Sequence, residues 1–126
     1  MSKRWVTGWK LDREDRARLL DRFPPLFPDV IADHVTLRSG TDGTTPLPQE
    51  TRGEIVGEID DDAGVQALVV RIGGTTERMD GSTYHVTWAL DRSRGRRAVE
   101  SNHVIAALGW RALADVVPIR LHPARF

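Results

Sequence analysis

The sequence contains no cysteine. That removes disulfides, thiolate nucleophiles and cysteine-ligated zinc from consideration, and it is compatible with a reducing cytosol. Net charge is missing as well: 18 basic and 18 acidic side chains balance when the histidines are neutral. No overall field therefore draws the chain to nucleic acid or to an anionic membrane surface, and a nucleic-acid partner has to be gripped locally. No window approaches the roughly 20 apolar residues of a membrane-spanning helix. The opening MSKRWVTGWK is basic but lacks the apolar run of a signal peptide, which gives the expectation of a cytoplasmic protein without a membrane partner. Gly73 and Gly74 are not followed by the Lys-Ser/Thr of a P-loop, so nucleoside triphosphate hydrolysis has no support.

What the chain does have is enough apolar material, 40% of its 126 residues, for one core and one domain spanning 1–126. Residues 10–23, KLDREDRARLLDRF, carry Asp12 as a start signal and Leu19, Leu20 and Phe23 at helical spacing. This predicts a helix over 13–22, ended by Pro24, which disfavours helical geometry in the residue before it. Short β-forming runs surround it: RWVTGW, the second half of VIADHVTL, EIVGEID at 54–60, VQALVVRIG at 65–73, residues 84–90, and VVPIRLH near the end. DDAG between the third and fourth of these predicts an antiparallel hairpin. Glycine- and threonine-rich stretches at 38–53 and 74–82 read as loops, and Ser101 as the cap of a second short helix. Strands with antiparallel neighbours plus two helices give an α+β domain.

Two of the four histidines stand in the same context, HVTL from His34 and HVTW from His85. In a strand, side chains two apart share a face, so His34 with Thr36, and His85 with Thr87, each form a pair on one side of a sheet, with Val35 and Val86 pointing to the core. Two imidazoles whose ordinary pKa lies near neutrality can serve as general base and general acid in one turnover. Threonine hydroxyls are neutral donors that can hold phosphoryl oxygens. Together they suit phosphodiester cleavage without a metal; an ordinary strand with one wet face is the plainer alternative.

These residues resemble the twin H-x-T-x signatures of the 2H phosphoesterase superfamily. The stretch from GVQALVVRIGG through DGSTYHVTWALDRSRGRRAVESN, residues 64–102, is similar in particular to the cyclic phosphodiesterase domain of fungal tRNA ligases and related RNA-repair proteins. The resemblance implies a bilobal α+β fold, two antiparallel sheet lobes with flanking helices around a central cleft, to which each lobe brings one H-x-T strand. It implies hydrolysis of 2′,3′-cyclic phosphates, at RNA 3′ ends or on small cyclic nucleotides, to a 2′-phosphate. His34 and His85 become the acid–base pair and Thr36 and Thr87 the phosphate-binding hydroxyls; a 2′-phosphate product makes His85 the candidate base and His34 the candidate acid, an assignment the sequence leaves open. No metal, cofactor or protein partner is implied. The competing expectation is a binding module of the same fold that holds an RNA end or phosphorylated nucleotide without turnover.

Strand parity places Arg38 with His34 and Thr36, so its guanidinium is a candidate phosphate contact, against the alternative of a solvated strand end. Ala89 has the parity of His85 and leaves room for ligand, whereas Tyr84 and Trp88 point to the core. Trp9 is the candidate for stacking on a nucleobase, against packing in the core. RSRGRR at 92–97 is either a solvated turn or an RNA contact. His103 and His122 have no partner at motif spacing, and IDDDAG at 59–64 reads as a turn rather than a cation loop.

Overall fold

A computed structural model describes residues 4–126. Seven strands form one antiparallel sheet in the order β2-β6-β5-β4-β7-β1-β3. They are β1 (Trp5–Leu11), β2 (Asp29–Val30), β3 (His34–Thr41), β4 (Arg52–Asp60), β5 (Val65–Arg71), β6 (His85–Leu90) and β7 (Arg111–Arg125). Two helices, α1 (Arg13–Arg22) and α2 (Glu100–Leu108), complete an α+β domain.

The sequence rules account for α1 directly. The Asp12 carboxylate accepts the amides of Glu14 and Asp15, satisfying two otherwise free donors at the helix start, and the chain leaves the helix at Phe23 before Pro24. Asp15 is 3% exposed and accepts the Arg120 amide at 2.6 Å, which pins the helix to β7. The second helix departs from expectation. It begins at Glu100 with Val99 at the cap, so Ser101 lies inside it, fully buried, with its hydroxyl turned to Thr87 rather than to its own backbone.

The last strand is much longer than VVPIRLH suggested. Its prolines do not interrupt it because each falls where β7 is paired on one side only. Pro118 faces Glu54 on β4 before the β1 pairing starts at Leu121, and Pro123 faces Trp9 on β1 after the β4 pairing ends at Arg120. A missing amide costs nothing toward an open edge. β7 thereby serves two ladders in succession, one with β4 and one with β1.

One apolar cluster joins Trp9, Leu11 and Val35 from β1 and β3 to Leu68, Val70, Val86 and Trp88 from β5 and β6, together with Leu19 of α1 and Phe23 just after it. A second cluster lies under α2, where Val104 and Ile105 meet Ala67, Val69 and Leu90. The edge strand β3 comes back into contact with β6. The crossing is made in two residues: Ala32 donates its amide to Thr87 O on β6, and Asp33 O accepts from Leu11 on β1. Ala32 takes a left-handed conformation there (φ 44), costly for a residue with a Cβ, and Arg16 Nε holds its carbonyl at 2.7 Å. Among the described residues no helix is long and apolar enough to cross a membrane.

Candidate active site

The first cluster buries Val35 and Val86 completely. The alternating residues His34, Thr36, His85 and Thr87 therefore lie on the other side of their strands, and the return of β3 to β6 brings the two pairs together. They line one pocket of about 170 Å³, closed along one flank by Ala98, Val99 and Asn102 at the start of α2, and completed by Ser39 and Arg78.

Each imidazole is fixed through Nδ1. His85 is 9% exposed and its Nδ1 lies 2.8 Å from the Thr83 carbonyl. A carbonyl only accepts, so Nδ1 carries the proton and the lone pair of the neutral ring sits on Nε2. His34 Nδ1 lies 3.1 Å from the Asp33 carboxylate, which fixes the same tautomer. Among the described residues neither Nε2 has a protein partner. The His34 ring also packs against Phe126, with centroids 4.6 Å apart.

The two rings differ in their electrostatics. Burial lowers the pKa of His34, with Asp33 opposing the shift and Lys10 adding to it. Burial raises the Asp33 carboxyl, but Lys10 at 2.5 Å, Arg13 at 2.7 Å and His34 more than reverse this and keep it ionised far below the usual carboxylate range. His85 is lowered by burial, opposed only by the Thr83 carbonyl, and lowered further by the charges of Arg78 and His34. Only His34 has a carboxylate to stabilise its imidazolium.

The hydroxyls are held unequally. Thr36 makes no side-chain hydrogen bond among the described residues. Thr87 Oγ1 meets Ser101 Oγ at 2.8 Å and the Ala98 carbonyl at 3.3 Å. When Ser101 donates to Thr87, the Thr87 proton needs only to leave the long bond to Ala98 to reach a ligand in the pocket.

Arg78 was not anticipated. Its side chain is 10% exposed and spans the cleft, donating to the Thr36 carbonyl at 3.4 Å and Asn102 Oδ1 at 3.1 Å, with Nε 3.2 Å from Asp80. The segment around it, read as a loop, is an ordered turn: Gly81 donates to Arg78 O at 2.8 Å and Asp80 accepts the Ser82 amide at 2.9 Å. The Asp80-Gly81 dipeptide was the available signal for a tight turn that could aim a neighbour inward.

Arg38 does not share the face of His34 and Thr36. Thr36 is paired with Gly8 and Arg38 with the adjacent Thr7, so the register gains a residue at Leu37 and the parity reverses. Ser39 takes the place Arg38 was expected to hold, and Arg38 is exposed in an adjoining cleft. Gly8 permits the bulge, since a Cβ there would lie 2.2 Å from Val35 O. Trp9 cannot stack on a base: it is 1% exposed, donates to Glu50 O and meets Tyr84 edge-on at 5.8 Å. Ala89 is fully buried outside the pocket, because a register shift at Gln66/Ala67 turns β6 after Thr87.

Tyr84 and Trp88 lie in the core, with Trp88 Nε1 donating to Phe23 O at 2.7 Å. His103 is exposed, and His122 pairs with Asp12 at 2.8 Å. Arg94 and Arg96 of the basic turn pair with Asp91 and Asp61. Asp61 itself accepts the amides of Ala63 and Val65, closing the β4–β5 turn. Among the described residues no group of three or more histidine or acidic side chains could hold a metal ion. The chain matches no protein-family model, no curated protein and no solved structure.

Proposed function

We propose that the protein is a metal-independent phosphodiesterase of the 2H phosphoesterase type. On this reading it hydrolyses 2′,3′-cyclic phosphates, at RNA ends or on small cyclic nucleotides, to a 2′-phosphate. One observation carries the reading: two imidazoles whose Nε2 atoms have no partner among the described residues, two threonine hydroxyls and one guanidinium line one pocket of about 170 Å³, room enough for a phosphate. The two ladders sharing β7, each bringing one H-x-T strand, support the bilobal part of it.

The chemistry follows from the inequality of the histidines. His85, with no anion beside it, stays neutral and takes a proton from water through Nε2 as the water oxygen attacks phosphorus. The bond from phosphorus to the ribose 3′ oxygen breaks in line, and His34 gives its Nε2 proton to that oxygen. One water is consumed, one P–O bond forms and one breaks. His85 then returns its proton to solvent and His34 takes one up. A phosphate anion in the pocket favours the charged form of both rings, and it is the Asp33 carboxylate, beside His34 alone, that makes His34 the one to carry the proton. Thr36, Thr87 and Arg78 offer donors to the oxygens on which negative charge accumulates.

Incubation of the purified protein with a nucleoside 2′,3′-cyclic phosphate in EDTA, followed by ³¹P NMR, tests this. The expected result is conversion of the cyclic phosphate signal to a 2′-monoester at an undiminished rate. Tight binding with no product favours the non-catalytic module, and loss of turnover on chelation rules out the metal-free route.

A further inference from the structure

The pocket that holds the histidines is too small for a whole nucleotide: its volume of about 170 Å³ suits a phosphate, whereas sites for small organic ligands occupy roughly 300–1,000 Å³. The nucleoside attached to that phosphate has to lie in continuous space. A second cleft of about 470 Å³ adjoins it and shares two lining residues with it, Ser39 and Arg78. Leu37, packed against the core, and Met79, 68% exposed, give this cleft an apolar side. Asp80, its acidic residue, is already engaged by Arg78 and Ser82. Arg38 is exposed there, and its guanidinium has no hydrogen bond or ion pair among the described residues.

Resting on the reading of the site as a cyclic phosphodiesterase, we propose that this cleft holds the terminal nucleoside, its base against Met79 and Leu37, and that Arg38 binds the phosphate on the 5′ oxygen of the same ribose. A free nucleoside 2′,3′-cyclic phosphate has no such group. An RNA end always has one, as the phosphodiester to the preceding nucleotide. Arg38 thus makes RNA ends the preferred substrates over free cyclic nucleotides. A guanidinium suits this contact because it meets two phosphate oxygens at once. The bulge at Leu37 that removes Arg38 from the histidine face is what turns it into this second cleft.

The test compares kcat/KM for a nucleoside 2′,3′-cyclic phosphate with that for a dinucleotide ending in the same cyclic phosphate, in the wild-type protein and in Arg38→Ala. The wild type is expected to favour the dinucleotide by about tenfold or more, and Arg38→Ala to bring the ratio near one. Its dinucleotide rate should also lose about 0.7 from the log–log salt slope, the signature of one single-strand phosphate contact. A wild-type ratio near one, or a preference unchanged in Arg38→Ala, overturns the proposal while leaving the phosphodiesterase reading intact. If neither substrate turns over, that reading fails separately, and binding of a 3′-phosphorylated dinucleotide decides the subsite. Weakening by about tenfold in Arg38→Ala supports it, and equal binding overturns it. Because Arg38 is exposed, the thermal unfolding midpoint should not move.

Discussion

Asp33 lies one residue before His34 and holds its Nδ1, but no motif marks it. Its carboxylate is the one influence that raises the His34 pKa by both hydrogen bonding and charge. Both imidazoles sit below their ordinary value of about 6.5, so kcat/KM is expected to be bell-shaped with its optimum on the acidic side of that value. Asp33→Asn removes the opposing influence, and the His34 pKa falls further. The alkaline limb of the profile should then move to lower pH while the acidic limb, set by His85, stays in place. A shift confined to the acidic limb contradicts the assignment of acid and base. Ser101 acts at one further remove, orienting Thr87. Ser101→Ala is expected to lower kcat about tenfold, less than the 10²–10³ of losing a direct donor, and to cost about 1–2 kcal/mol in a urea melt for an unpaired buried partner.

Among the elements, the sequence was most legible where local rules act alone. Asp12 and Pro24 bound α1, and alternation gives the faces of β3 and β6 as far as Thr36 and Thr87. It was least legible where the chain departs from regular period. The register gain at Leu37 reversed the parity used to place Arg38, the shift at Gln66 did the same to Ala89, and Ser101 lies inside α2 with its hydroxyl on Thr87 of β6 rather than at the cap. Trp9 illustrates a different limit. Whether an aromatic is exposed or sealed depends on Tyr84 and Glu50, which approach it from far along the chain. The bulge itself is testable. Gly8→Ala places a methyl against the Val35 carbonyl and the Thr36 backbone, none of which is a flexible end. A cost of about 1–3 kcal/mol is expected for overpacking, with catalysis falling further than stability because His34 and Thr36 are carried on the displaced strand. Wild-type activity in a destabilised Gly8→Ala protein contradicts the role given to the bulge.

For the whole molecule, holding two imidazoles in one poorly solvated pocket has a stability consequence. Both have pKa values lowered by folding. The unfolded chain therefore binds more protons than the folded one between the lowered values and about 6.5, and unfolding free energy rises with pH across that window. Stability is complete above about 6.5 and is lost as pH falls through the folded-state values. His34→Ala/His85→Ala is expected to flatten that part of the profile in chemical denaturation, and a slope that survives both substitutions would place its origin elsewhere. The same whole-molecule arrangement, β7 bridging two ladders and β3 returned to β6, brings together two histidines fifty-one positions apart. The central claim is that they work as one unit on one phosphate. Its most direct test is kcat/KM on an RNA with a 2′,3′-cyclic phosphate end for the wild type, His34→Ala, His85→Ala and the double variant. Each single substitution is expected to cost about 10²–10⁴, and the double little more than the worse single, as for residues that act together. Either single variant retaining the wild-type rate contradicts the account.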